Sequence, residues 1–157
     1  MSKLNVKLHV FSELTDVNNE LIPLKEMADN ELTATYGLTG MVYRPHLDAY
    51  MQRCIKKAEI FACLKSQSIL PLSKVELISK TLDNLHNRAR SRATVEYEGD
   101  HYQRIFLPLK LSKSGKTVQK WAKIWLLQQD DGKVDLQWES QVKEIWPTYF
   151  LIRISDL

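Results

Sequence analysis

Apolar and polar side chains alternate at the start of the chain. Leu4, Val6, Leu8 and Val10 fall on one side and Lys3, Asn5, Lys7 and His9 on the other, which predicts a strand over residues 3–11. The period then lengthens: Leu14, Val17, Leu21 and Ile22 share a side at helical spacing behind a candidate cap at Ser12, and Pro23 predicts a stop or bend. Residues 33–43, TATYGLTGMVY, mix β-branched, aromatic and glycine residues and read as extended or turning. From Pro45 to about Lys65 the helical period is strongest, with Leu47, Tyr50, Met51, Cys54, Ile55, Ala58, Phe61 and Ala62 recurring at three and four. A further helix opens at the Ser-x-x-Glu capping box of Ser73 and Glu76, carries Val75, Ile78, Leu82 and Leu85, and runs out in HNRARSR. The short connection through Pro71 predicts that these last two helices form an antiparallel hairpin.

Beyond residue 92 the period shortens to two. Val95 and Tyr97 alternate with Thr94, Glu96 and Glu98, a turn follows at Gly99-Asp100, and Ile105, Leu107, Leu109 and Leu111 share a face, so a β-hairpin is expected. Residues 118–127 fit either period, since Val118, Trp121, Ala122, Trp125 and Leu126 also recur at helical spacing. Asp131-Gly132 favours the strand, because this hairpin signal needs a strand on each side. Ser112 to Thr117 then forms the connection from 102–111, with Gly115 at a positive φ. VDLQWES alternates Val134, Leu136 and Trp138 with polar residues and reads as a strand, and TYFLIRI as a buried one. The expected architecture is α+β, a single domain over 1–157. Its helical N-terminal part, 1–92, with two long helices as a hairpin, packs on a C-terminal antiparallel sheet, 93–157, of four or five strands.

Composition agrees with an ordinary globular chain: 157 residues, 44% hydrophobic and 26% charged. Apolar clusters such as YFLI fall far short of the ~20 residues that cross a bilayer. The first residues lack the apolar stretch of a secretory signal, so a cytoplasmic location and no membrane partner are expected. Cys54 and Cys63 lie on roughly opposite faces of one predicted helix and cannot bridge each other there. Net charge is only +3 but uneven: residues 51–120 carry fourteen Lys and Arg against six Asp and Glu, while both flanking segments are mildly acidic.

Gly115-Lys116-Thr117 has the ending of a phosphate-binding loop, but Lys110 stands where its first glycine is required, and the neighbouring elements are antiparallel hairpins rather than βαβ units. The four histidines, His9, His46, His86 and His101, are scattered, and no His-x-x-x-His or Cys-x-x-Cys pair offers metal-ligand spacing. No nucleophile elbow is present, and Asp130-Asp131 reads as a solvated turn. The expectation is a protein without enzymatic activity or cofactor.

The basic middle carries the positive signal. Arg88, Arg90 and Arg92 end the second long helix, Arg104 lies on the following strand, and Lys110, Lys113, Lys116, Lys120 and Lys123 decorate the hairpin around SKSGKT. Cations at a helix C-terminus also complement its dipole, and lysines on a hairpin also discourage edge pairing. As one surface, these nine side chains would neutralise the phosphates of a DNA or RNA backbone, DNA ahead of RNA. Trp121, Trp125, Trp138 and Trp146 crowd the last part of the chain, as a sheet core or, for Trp121 and Trp125 beside Lys123, as a stacking face. The functional expectation is therefore a small nucleic-acid-binding accessory protein working beside other proteins of a larger machinery. The alternative is a protein-interaction adaptor or chaperone-like subunit that docks through its apolar helix or tryptophan-rich sheet.

Overall fold

The computed structural model describes residues 10–39 and 42–152; the strand expected over 3–11 lies, but for its last two residues, outside them. By its contacts the chain divides into two compact units, Met1–Pro71 and Leu72–Leu157. Helices come first and an antiparallel sheet later, so the class is α+β as expected.

The first unit is a pair of long helices, α1 (Ser12–Ala34) and α2 (Pro45–Ser66). They run antiparallel: Leu14 and Val17 near the start of α1 cluster with Ile60 and Leu64 near the end of α2, while Glu31 meets His46 at the opposite ends. The helical hairpin of this unit is α1 with α2. The predicted stop at Pro23 does not occur, although a proline inside a helix costs about 3 kcal/mol. Pro23 sits on the exposed side, and the apolar side continues past it through half-buried Leu24 to buried Ala28. Ser12 is the first helical residue instead of the cap, a position held by Phe11, and the Glu13 carboxylate accepts the Val10 amide at 3.2 Å. Of the segment expected to be extended, Thr33 and Ala34 finish α1, and the chain then turns through Gly37 at φ +79°.

α2 has no cap of its own, because Arg44 offers its first turn no side-chain hydrogen bond. Glu31 supplies one from the other helix: its carboxylate accepts the amides of His46 at 3.1 Å and Leu47 at 3.2 Å, and sits 2.7 Å from His46 Nδ1. Arg44 Nε donates to Thr35 Oγ1 at 2.9 Å, pinning the connection from its other side.

The second unit holds α3 (Lys74–Leu85), a three-stranded antiparallel sheet β1 (Thr94–Tyr97), β2 (Asp100–Leu111) and β3 (Val118–Gln128), then α4 (Leu136–Ile145) and a 3-10 turn, Pro147–Phe150. The capping box is present: Ser73 Oγ accepts the Glu76 amide, and Glu76 accepts the Ser73 amide, both at 3.3 Å. Glu98 and Gly99, both at positive φ, turn β1 into β2, one residue earlier than expected. Residues 118–128 are indeed a strand, and Ile124, Trp125 and Leu126 are buried in succession because both faces of the sheet are covered here.

Among the described residues the sheet has three strands, not four or five. VDLQWES is not a strand. Asp135 caps α4, accepting the Trp138 amide at 2.8 Å, and Trp138 and Val142 are buried at helical spacing while Leu136 is left exposed. TYFLIRI begins in the 3-10 turn, and residues 153–157 lie outside the described ones.

Partial burial pushes the Glu31 pKa up, but the Leu47 amide, the His46 ring and the His46 amide together bring it below the ordinary value of 4.5. Because the folded value is the lower one, this stabilisation is complete above the ordinary value and is lost as pH falls through the folded one. Thermal unfolding followed from about pH 7 to about pH 3 should show E31Q less stable than wild type at neutral pH, with the gap closing on acidification.

Candidate nucleic-acid interface

Two cationic segments meet on β2. α3 stops at Leu85, so Arg88, Arg90 and Arg92 do not end a helix; they lie in the turning segment 86–93 that leads into β1, all three exposed. Backbone bonds staple this segment to β2. The Arg92 amide donates to the Arg104 carbonyl at 2.6 Å, the Arg104 amide to the Ala93 carbonyl at 2.8 Å, and the Phe106 amide to Ser91 Oγ at 3.2 Å. Arg92 reaches this geometry at φ +70°, a left-handed conformation that costs an ordinary residue about 1–2 kcal/mol. Phe106 in turn faces Lys123 across the β2–β3 ladder, so Arg90 and Arg92 neighbour the middle of the hairpin.

The far end of the hairpin holds the lysines. The connection 112–117 is closed by the Ser112 amide on the Thr117 carbonyl at 2.8 Å and turned by Gly115 at φ +72°, which leaves Lys113 and Lys116 exposed at the tip. Below them a β-bulge breaks the register after Pro108, a residue that cannot donate to the ladder. Continued from Pro108↔Trp121, the regular register would set Lys110 opposite Gln119; a local slip sets it opposite Lys120, and the register is regained at Leu111↔Val118. Like charges directly opposite destabilise a ladder. Between Asp100 and Asp130 the chain has no acidic residue at all, and among the described residues no ion pair engages Lys110, Lys113, Lys116, Lys120 or Lys123. From Phe106 to Leu111 the strand spans roughly 17 Å, which separates the arginine segment from the tip.

Arg104 departs from this group. It is 4% exposed, its Nη1 is bound to Asp83 of α3, and its guanidinium lies 4.7 Å from the Trp125 ring centroid. Asp83 Oδ1 also accepts the Trp125 indole N–H at 2.9 Å. Arg104 is therefore a buried structural cation, not a surface one, and the strand parity that marks Tyr102 as inward also marks Arg104. Trp125, at 1% exposure, is core as well, and the Trp138 indole donates to its carbonyl at 2.8 Å. Trp121 stays open at 43%, its ring 6.5 Å from Phe106, and Lys123 Nζ lies 5.2 Å from the same Phe106 ring. Neither Phe106 nor the bulge was anticipated as part of this surface, although a proline inside a strand pattern is itself a bulge signal.

No family model, curated protein or solved structure matches the chain. The site must be read from its chemistry. An open cleft of about 230 Å³ lies between the start of α3, β2 and α4, but Asp135 in its lining is already committed to capping α4. No group of three metal-ligating side chains occurs among the described residues, and no described helix is long and apolar enough to cross a membrane. Cys54 and Cys63 form no disulfide, and Gln67 Nε2 donates to Cys63 Sγ at 3.0 Å.

The Asp83 node yields an asymmetric expectation. D83A leaves a buried guanidinium and an indole N–H unpaired and should lower unfolding stability by about 3 kcal/mol, the low end for an orphaned buried charge because Asp83 itself is half open to water. R104M should cost less, since the carboxylate it orphans can be solvated. Urea midpoints of the two variants check the order.

Proposed function

We propose that the protein is a non-enzymatic accessory factor that binds nucleic acid through its backbone phosphates, DNA ahead of RNA, alongside other proteins of a larger cytoplasmic machinery. The observation that carries this reading is a hairpin with no acidic residue between Asp100 and Asp130, on which a bulge sets Lys110 against Lys120 and the tip exposes Lys113 and Lys116. Folding gains nothing from apposed like charges, whereas a phosphate between them removes their repulsion. Arg88, Arg90 and Arg92 extend the basic surface beside β2, and Arg104 supports it from beneath by holding their backbone.

A second reading, a protein-interaction adaptor, draws on α2. Ile60, Leu64 and the Arg53 that pairs with Glu20 at 2.9 Å face α1, whereas Leu47, Tyr50, Met51, Cys54 and Ala58 centre about a third of a turn away and are only half-buried. That stripe is apolar surface beyond what α1 covers.

Salt titration separates the two. With five unpaired lysines engaged, the slope of log K against log salt for a DNA duplex should be about −4 to −5, and K113A/K116A should reduce it by about two. Fluorescence anisotropy at low ionic strength reads this directly. Binding that is absent, or insensitive to salt, sinks the nucleic-acid reading and leaves the adaptor standing.

A further inference from the structure

The sheet face that carries Tyr102, Arg104 and Trp125 changes character along the hairpin. At its base, Asp83 of α3 reaches Arg104 and Trp125, and both are buried. Two residues further along each strand, the same face carries Phe106 and Lys123, and beyond them Pro108 and Trp121. There Trp121 is 43% exposed and rests against Phe106 at a tilt of 44°, with Lys123 exposed beside it; Lys120, next to Trp121 in β3, turns to the opposite face. An indole this open leaves a large part of its apolar surface in water. It does, however, form a platform beside the Lys123 ammonium, and an aromatic platform beside a cation is the chemistry that takes an unpaired base and its phosphate. Duplex bases are already stacked on one another and offer no free face.

Deepening the reading above and resting on it, we infer that the open half of this sheet face binds single-stranded nucleic acid, with a base stacked on Trp121 and a flanking phosphate on Lys123. The preference is for strand state over sequence, because every base has a face to stack.

The test uses the full chain with labelled oligothymidine and oligouridine of about twenty nucleotides and a DNA duplex of equal length. Wild type should bind either single strand more tightly than the duplex, with quenching of tryptophan fluorescence. W121A should weaken single-strand binding about 10-fold or more and change duplex binding little. W121F keeps a ring against Phe106, and should retain much of the affinity while losing most of the quench. If W121A fails to fold, the W121F quench and the wild-type strand preference still decide the matter. Duplex binding equal to or tighter than single-strand binding, or a quench that survives in W121F, overturns this inference and leaves the phosphate-binding reading intact. No salt-sensitive binding to any of the three probes overturns both.

Discussion

One half-exposed carboxylate organises the second unit. Asp83 reaches from α3 to two side chains on two strands, the Arg104 guanidinium on β2 and the Trp125 indole on β3, which face each other across the ladder. A guanidinium as buried as Arg104 is costly without a counter-charge, so α3 can lie on this sheet only in the register that delivers Asp83 to it. Trp125 is held in turn at its backbone, where its carbonyl takes the Trp138 indole and ties α4 to the edge of β3. Three helix and strand contacts thus converge on one pair of facing residues. The arginine segment depends on the same place, because its backbone is bonded to Arg104 and Phe106. A side chain that looks from sequence like a binding cation instead sets the position of the others.

What was legible in the sequence was what local chemistry decides. The capping box at Ser73, the proline-led start of α2 and the glycine-turned hairpin connection each rest on residues within one turn, and each is present. Residues 118–128 are a strand through their pairing with β2, whereas the turn at Asp131-Gly132 leads to no second strand, only the single bridge Gln128↔Val134. The errors share a different cause. Pro23 argued locally for a stop, and packing of the apolar side beyond it overrode that cost. The alternation of Val134, Leu136 and Trp138 argued for a strand, yet Asp135 caps a helix whose apolar repeat continues at Val142, outside the window in which the alternation was read. Arg104 could be assigned to a strand face but not to a partner, because Asp83 lies 21 residues away in sequence.

The first unit shows how little of a helical hairpin its own core has to supply. Among the described residues Leu14, Val17, Ile60 and Leu64 form its buried cluster, and the polar connection adds to the specification of register. Glu31 does this by capping α2 from α1: a shift of one residue between the helices would leave the amides of His46 and Leu47 without their acceptor. The loop is fixed by hydrogen bonds where a larger protein would use apolar burial.

The hairpin of the second unit divides the same way between stability and exposure. At its base the ladder joins apolar residues to a neutralised cation, and strand pairing and burial reinforce one another. Past Pro108 the register breaks, cation faces cation, and an indole stays half in water. A strand pair selected for stability alone would keep its register and place Gln119 opposite Lys110. The bulge gives up that arrangement at the point where the covered half of the face ends, and the stable base can hold the unfavourable end because the two are one continuous ladder. Rigid scaffold and charged, aromatic surface are therefore consecutive stretches of the same two strands, which is the arrangement an anionic ligand needs if its contacts are to be set before it arrives.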